Sequence, residues 1–92
     1  MSVTVRIPGP LRRITNGEEK VDIEGATLGA CIDALQSRFP GIRERLLDEQ
    51  GNMRYFVNVY LNGEDVRFLE GLETVTGPGD ELSIVPAVAG GK

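Results

Sequence analysis

The sequence predicts an α+β domain in which a mixed five-strand sheet carries one main helix across one face. Apolar and polar residues alternate near both ends of the chain, as they do in half-buried strands. Between these segments, apolar residues recur at the spacing of an α-helix. Glycine-containing turns at Asn16-Gly17, Asn62-Gly63 and Gly77-Pro78-Gly79-Asp80 separate the strands. Strands at both ends around one helix favour a sheet that packs the helix on one face.

The chain opens with a predicted β-hairpin. Its first strand is the alternating run VTVRI at residues 3–7, which ends at Pro8-Gly9-Pro10. Alternation returns at Val21 and Ile23, after the Asn16-Gly17 turn. We therefore expect two antiparallel strands with a long connection.

A main helix is predicted after Thr27. This residue is typical of an N-cap, since its hydroxyl can accept a hydrogen bond from an early helical amide. The apolar face of the helix consists of Leu28, Ile32, Leu35 and Phe39. Pro40-Gly41 ends it, and a short second helix is predicted to follow. That second helix has Ile42, Leu46 and Leu47 inward and Arg43, Glu44 and Arg45 outward.

The segment from Tyr55 to Leu61 is the most strand-like part of the chain. Its alternation places Val57, Val59 and Leu61 on one face and Phe56, Asn58 and Tyr60 on the other. Val66-Arg67-Phe68 is predicted to return as a short strand after Asn62-Gly63. The last strand is predicted from Glu81 to Pro86, with Leu82 and Ile84 on one face and Ser83 and Val85 on the other.

Five short strands around one helix form the β-grasp, the ubiquitin-like fold. In that fold the first and last strands lie side by side, so the residues that follow the last strand leave from a central, rigid position. We accordingly divide the chain into a β-grasp domain at residues 1–86 and a C-terminal tail at residues 87–92.

The composition excludes several classes of function. The net charge of −4 disfavours nucleic-acid binding, which needs a basic surface. With one cysteine and no histidine, the chain cannot assemble a catalytic triad, a Cys-His pair or a structural zinc site. No apolar run reaches membrane-spanning length, and a reducing cytoplasm is the expected location. We expect a protein that is not an enzyme, but a substrate or carrier for other enzymes.

The tail "AVAGGK" suits the delivery of a carboxylate. Extended, the residues from Ala87 to Gly91 reach roughly 17 Å beyond Pro86. Ala89 and Gly90 are narrow enough to thread a channel in a partner, because glycine lacks a Cβ. Activating a carboxylate at neutral pH requires a mixed anhydride, for which a partner would use ATP.

Two segments carry a family resemblance. "FVNVYLNGEDVRF" and "GPGDELSIVPAVAGG" resemble the ubiquitin-like sulfur-carrier proteins, the MoaD/ThiS family that includes the small subunit of molybdopterin synthase and the thiamine thiazole carrier. The similarity covers essentially the whole chain. "EDVRF" and "PAVAGG" most resemble the carriers of an actinobacterial route to cysteine.

The resemblance implies both a chemistry and a set of partners. An ATP-dependent adenylating enzyme, similar to the E1 enzymes of ubiquitin-like proteins, would activate Gly91, and sulfur would then form a thiocarboxylate. A pyridoxal-phosphate synthase working on O-phosphoserine would take the sulfur, and a JAMM-type zinc metalloprotease would release the cysteine. The chain itself is expected to bind no cofactor and no metal, because ATP, zinc and pyridoxal phosphate belong to these partners.

Lys92 departs from the family pattern, since it occupies the position after Gly91. The preferred interpretation is that a JAMM-type protease removes Lys92 by cutting after Gly91. Two others remain: an added or encoded residue without a role, and a β-grasp module that is not a carrier. The alternative functions are the molybdopterin-synthase small subunit, and a ubiquitin-like interaction module or protein modifier.

Several other residues could serve in binding or chemistry. Phe56, Tyr60 and Val85 are predicted to form a partner-docking surface on the sheet face away from the helix, unless a loop such as residues 67–73 covers it. Cys31 is expected to pack in the core. The acidic pairs are interpreted as solvated loop charge: Glu18-Glu19, Asp48-Glu49 and Glu64-Asp65.

Overall fold

The structure, a computed structural model, describes residues 2–86. Its strands are β1 (Val3–Arg6), β2 (Lys20–Ile23), β3 (Val57–Leu61), β4 (Glu64–Asp65) and β5 (Glu81–Pro86). Its α-helices are α1 (Leu28–Arg38) and α2 (Ile42–Leu46), and short 3₁₀ turns lie at Gly9–Leu11, Val66–Phe68 and Gly71–Glu73.

The strands form one mixed sheet in the order β2-β1-β5-β3-β4. β1 is antiparallel to β2 and parallel to β5, and β3 is antiparallel to both β5 and β4. The predicted hairpin and the predicted pairing of the first and last strands are both confirmed. The fold is the predicted β-grasp.

The core lies between the sheet and the helices. Residues on alternate positions of β1, β2, β3 and β5 turn toward α1 and are almost fully buried, as expected for a sheet with one covered face. From α1, the buried side chains are Leu28, Cys31, Ile32 and Leu35. α2 buries Ile42 and Leu46, followed by Leu47, while Arg43, Glu44 and Arg45 are exposed as predicted.

The N-terminus of α1 begins as its sequence predicts. The Thr27 hydroxyl accepts a hydrogen bond from the Ala30 amide at 3.1 Å. The segment after the third 3₁₀ turn crosses this end of the helix, because Thr27 forms an isolated antiparallel bridge with Val75. Thr74 and Thr76, on either side of Val75, are buried.

Two strand assignments are corrected by the structure. β3 begins at Val57 rather than at Tyr55, and Tyr55 and Phe56 form a turn. The short returning strand is Glu64–Asp65, whereas Val66–Phe68 is a 3₁₀ turn. The Asp65 side chain accepts the Arg67 amide at 2.8 Å, which closes this turn and ends the short strand. Within residues 2–86, no helix is long and apolar enough to cross a membrane.

Candidate functional site

The predicted reactive residues follow the last strand. β5 ends at Pro86, and residues 87–92 lie outside the described part of the chain. The predictions that fall there are the adenylation and thiocarboxylate site at Gly91, the threading residues Ala89 and Gly90, and the processing site at Gly91 and Lys92. What the structure does define is the place from which this segment starts.

That place is the middle of the sheet. β5 pairs on one side with β1, in the register Val5 opposite Leu82, and on the other side with β3, in the register Val59 opposite Ile84. A strand bonded on both sides is held more firmly than an edge strand, because both its neighbours must separate before it can move. The backbone of β5 is therefore held in place close to the point where the tail begins.

The final part of β5 is supported by β3. Val85 lies opposite Asn58, and Pro86 lies opposite Val57. Proline has no amide hydrogen, so Pro86 donates nothing to the ladder. The last backbone donor of β5 is therefore the amide of Val85.

Arg67 holds the same part of β3 from its other side. Its guanidinium donates to the Val57 carbonyl at 2.8 Å and to the Arg54 carbonyl at 3.0 Å, and it also donates to the Asn58 side chain. The sequence predicts a short strand around Arg67 but gives no sign of these contacts. They span up to 13 residues of sequence and exist only once the chain has bent at Asp65.

The predicted docking surface lies only partly on the outer face of the sheet. Tyr60 is half-buried, and Val85 is 44% exposed. The register places Tyr60 opposite Ser83, one step along the outer face from Val85, so the two side chains are diagonal neighbours. The prediction that Phe56 lies on this face is wrong. Phe56 precedes β3 and packs, partly buried, against the core.

Other apolar side chains are more exposed than those predicted. Tyr55 is 90% exposed and makes an edge-on contact with the ring of Phe56, with ring centroids 5.3 Å apart. Phe68 is 83% exposed and follows Arg67 directly. The segment at residues 67–73, predicted as a possible cover for the outer face, instead sends Leu72 against the core.

Cys31 is buried as predicted. Its Sγ lies 3.5 Å from the Thr76 hydroxyl, and that hydroxyl donates to the Gly25 carbonyl at 2.8 Å. Burial raises the pKa of the Cys31 thiol, and the hydrogen bond with Thr76 only partly opposes this. A neutral, enclosed thiol is a poor nucleophile, which agrees with a packing role.

The opposite end of β5, where the strand starts, is held by two turns. The Asn62 side chain accepts the Glu81 amide at 2.9 Å and donates to the Asp80 carboxylate at 3.1 Å. The same carboxylate accepts the Gly77 amide at 2.9 Å. "NG" and "GPGD", which carry part of the family resemblance, therefore fix the start of β5 and the register of the strand.

The acidic pairs show no metal-binding arrangement. Among residues 2–86, no group of three or more Cys, Asp or Glu side chains is placed to hold a metal ion. Asp48 accepts the amides of Gln50 and Asn52 at 2.9 and 3.0 Å, so its carboxylate shapes a turn.

Comparison with known proteins assigns the family. The sequence profile of the ThiS family matches residues 5–91. The chain belongs to the ThiS family of ubiquitin-like sulfur-carrier proteins. The match includes both tail glycines and ends immediately before Lys92.

Relatives with established names agree with this assignment. The sulfur carrier protein CysO of Mycobacterium tuberculosis is 50% identical over 93 residues, which cover 99% of this chain and 100% of CysO. The molybdopterin synthase sulfur carrier subunit of the same organism is 35% identical over 74 residues, which cover 79% of this chain and 75% of that subunit. Both relatives are named as sulfur carriers.

A solved structure extends the agreement to the fold. In the crystal structure of the BexX/CysO complex from Amycolatopsis orientalis, the matching chain is 52% identical and superimposes with a TM-score of 0.91. The match covers 97% of this chain and 99% of that one. The protein is thus a sulfur carrier of the ThiS/MoaD type.

Proposed function

We propose that this ThiS-family carrier receives sulfur on the carboxyl group of Gly91 once that residue is the last of the chain. A carboxylate oxygen of Gly91 attacks the α-phosphorus of ATP, and pyrophosphate leaves. A sulfur nucleophile then attacks the acyl carbon, AMP leaves with the electrons of the carbon–oxygen bond, and a thiocarboxylate remains. A partner enzyme performs both steps.

The observation that best supports this proposal is the position of β5. The strand is paired on both sides and leads directly into the segment that the family profile matches through Gly91. A rigid domain that ends in a narrow segment can dock on one surface while its terminus enters an active site.

The test uses three forms of the protein: a chain that ends at Gly91, the full chain through Lys92, and a chain that ends at Gly90. Each is incubated with the adenylating enzyme, ATP and sulfide, and its intact mass is measured. We expect only the chain ending at Gly91 to gain the mass difference between sulfur and oxygen. A chain that forms amide-linked adducts on other proteins and no thiocarboxylate would instead be a modifier.

We infer that the sulfur goes to cysteine biosynthesis. The support comes from two carriers of one organism, Mycobacterium tuberculosis. This chain is 50% identical to its CysO and 35% identical to its molybdopterin synthase subunit. The acceptor would be a pyridoxal-phosphate synthase that works on O-phosphoserine, and cysteine would be left amide-linked to Gly91 after an acyl shift. Supplying the thiocarboxylate form to this synthase and to molybdopterin synthase, and measuring both products, separates the two pathways.

Lys92 is proposed to be removed by a JAMM-type zinc metalloprotease. The same kind of enzyme would have to cut after Gly91 to release cysteine, and the bond between Gly91 and Lys92 presents the same acyl side. Incubation of the full chain with the protease should yield a product that ends at Gly91. Finding Lys92 on all of the carrier in cells that make thiocarboxylate-dependent product would contradict this step.

The outer face beside the tail is proposed as the docking surface for the adenylating enzyme. Val85 is exposed, lies one residue before the end of β5, and is a diagonal neighbour of Tyr60. These side chains would be in reach of a partner that admits the residues after Pro86. Val85→Ala should weaken binding by about 1 kcal/mol, seen as a higher KM for the carrier. Val75→Ala is the matched control. Val75 is also an exposed valine, at 72%, but it lies beside Thr27 at the N-terminus of α1.

A further inference from the structure

β3 lacks a strand partner along the half that supports the end of β5. β4 pairs only with Tyr60 and Leu61, so within the described chain Val57 to Val59 have β5 on one side and no strand on the other. Carbonyl groups on such an open side need other donors. The Arg67 guanidinium supplies a donor to the Val57 carbonyl at 2.8 Å, and it also donates at 3.0 Å to the carbonyl of Arg54, which precedes β3.

The other side of this half of β3 carries the last hydrogen-bonded pair before the tail. The Asn62 amide bonds the Glu81 carbonyl at 2.8 Å, and hydrogen-bonded pairs recur at every second residue of an antiparallel ladder. Asn58 and Val85 therefore form such a pair. Because Pro86 cannot donate, nothing later in β5 ties its backbone amide to β3.

Arg67 thus acts on the residue that faces Val85. Its guanidinium also donates to the side chain of Asn58, so the side chain of this residue is held by Arg67 while its backbone is paired with Val85. A shift of the Asn58 backbone would move the end of β5 with it.

We propose that Arg67 is a positioning residue that sets the direction in which the chain leaves β5 toward a partner's active site. The proposal rests on the proposed function, since it concerns how the Gly91 carboxylate reaches ATP. Arg67 does not touch the reacting atoms. It fixes the start of β3 and, through the pair of Asn58 and Val85, the direction of the end of β5 in the docked domain.

The shape of the guanidinium is the reason for arginine here. Its planar fork donates several hydrogen bonds in fixed directions, whereas the lysine ammonium is a single point on a flexible stem. Arg67→Lys keeps the charge and loses the simultaneous contacts with two carbonyls and one side chain. The lysine variant therefore separates the effect of geometry from the effect of charge.

The test measures adenylation by ATP–pyrophosphate exchange. Each variant is made as the chain of residues 1–91, which ends at Gly91. For Arg67→Ala and Arg67→Lys we expect kcat to fall by about tenfold with KM for the carrier unchanged, because docking is intact but the terminus is misplaced. Asn58→Ala should show a smaller fall, since it removes one of the three partners. Arg38→Ala is the matched control.

Arg38 is suited to this purpose because it also holds a strand by a side-chain bond to a carbonyl. It donates to the Asp22 carbonyl at 2.9 Å on β2, which β1 separates from β5. A purely structural loss should therefore affect Arg38→Ala as much as Arg67→Ala. We expect unchanged kcat and KM for Arg38→Ala.

A second measurement on the full 92-residue chain uses amide hydrogen exchange and no enzyme. In Arg67→Ala, the Val85 amide should exchange faster by about tenfold. This is the effect expected when β3, the strand that pairs with Val85, loses two or more hydrogen bonds from the guanidinium. The Ser83 amide, which is bonded to Tyr60 in the same ladder, should stay protected. This comparison detects a local loosening that a global loss of stability would spread over both amides.

The outcomes are distinct. An unchanged kcat in Arg67→Ala, or a raised KM with unchanged kcat, would overturn the positioning role, and the second result would assign Arg67 to docking. Equal acceleration of Val85 and Ser83 exchange would also overturn it. If the unaltered chain ending at Gly91 supports no exchange, the proposed function fails and the positioning role fails with it.

Discussion

Gly25 shows how closely α1 approaches the segment that precedes it. A Cβ at this position would lie 2.7 Å from the Cys31 amide nitrogen, 2.9 Å from the Cys31 sulfur and 3.0 Å from the carbonyl carbon of Ala30. Two of these three atoms belong to the backbone of the helix and cannot turn aside. The glycine is therefore required by the packing of α1 and not by a turn.

We expect Gly25→Ala to lower the free energy of unfolding by about 1–3 kcal/mol, the usual cost of overpacking. Urea denaturation followed by circular dichroism measures the change. Gly9→Ala is the control, since a Cβ at Gly9 meets nothing within 4 Å. Equal stability of the two variants would contradict the contact.

Cys31 links stability to pH. The thiol is fully buried, and desolvation raises its pKa above the ordinary value of 9.0 despite its contact with Thr76. In the folded state the proton is held more tightly than in the unfolded state. The contribution of this thiol to folding stability is therefore fully present below pH 9 and is lost as the pH rises toward the folded-state pKa, because the unfolded chain ionises first.

The free energy of unfolding should fall between pH 9 and the raised folded-state value by more in the natural sequence than in Cys31→Ser. Urea titrations of both proteins over this range measure the difference. Thiocarboxylate formation should be unchanged in Cys31→Ser, because the thiol is enclosed. Loss of sulfur transfer in a folded Cys31→Ser protein would show that the thiol has a redox role.

At the level of elements, β5 is fixed at its two ends by different devices. Its start is held by the Asn62-Gly63 turn and the Asp80 carboxylate, and its end is supported by Asn58 on β3 and by Arg67 from the 3₁₀ turn at Val66–Phe68. Both residues of the Asn62-Gly63 turn have positive φ, at 51° and 90°, as the tight hairpin turn requires.

Asp80→Ala should cost about 1–3 kcal/mol of stability, because the Gly77 amide loses its charged acceptor and the Asn62 side chain loses its partner. Thermal unfolding provides the measurement. Asp33→Ala is a matched control, since Asp33 forms only an exposed ion pair with Arg43 at 3.4 Å. A similar loss in both variants would mean that Asp80 acts only through its charge.

Elements that depend on residues close in the sequence are predicted more accurately than elements that depend on distant contacts. α1 and its Thr27 cap depend on neighbours three or four residues away, and both were predicted correctly. The strand predicted at Val66-Arg67-Phe68 was wrong, since the Asp65 side chain bends the backbone there. Phe56 was misplaced for a related reason, because alternation continues into the turn before β3.

At the scale of the whole molecule, β5 joins the two halves of the sheet. Leu82 lies opposite Val5 in β1 and opposite Leu61 in β3, and it is 1% exposed. Within residues 2–86, β1 and β3 are not paired with each other, so β5 provides the backbone pairing between the hairpin and the C-terminal strands. The sheet should consequently unfold as one unit.

Leu82→Ala should lower the free energy of unfolding by about 2–5 kcal/mol, through lost burial and a cavity shared by both halves. Circular dichroism and tyrosine fluorescence should give the same transition midpoint, because a domain of this size unfolds in one step. Separate midpoints for the two probes would show that the halves unfold independently. Val85→Ala, on the exposed face of the same strand, should cost less than 1 kcal/mol, as is usual for surface changes.

The sequence by itself determined the local elements and the chemistry that the protein can support. Alternation and turn residues established the first hairpin, helical spacing established α1, and the absence of histidine excluded the common catalytic sites. The narrow tail with its two glycines indicated a carrier, and the family assignment agrees. All of these depend on residue types and on neighbours close in the chain.

Only the tertiary structure decided how the strand before the tail is held. Arg6 bonds Glu81 across 75 residues, and Arg67 reaches three partners on the far side of the Asn62-Gly63 turn. The direction of such contacts depends on how the whole sheet assembles, and no local pattern encodes it. The sequence therefore identifies the carboxylate to be carried, while the packing around β5 decides how it is presented.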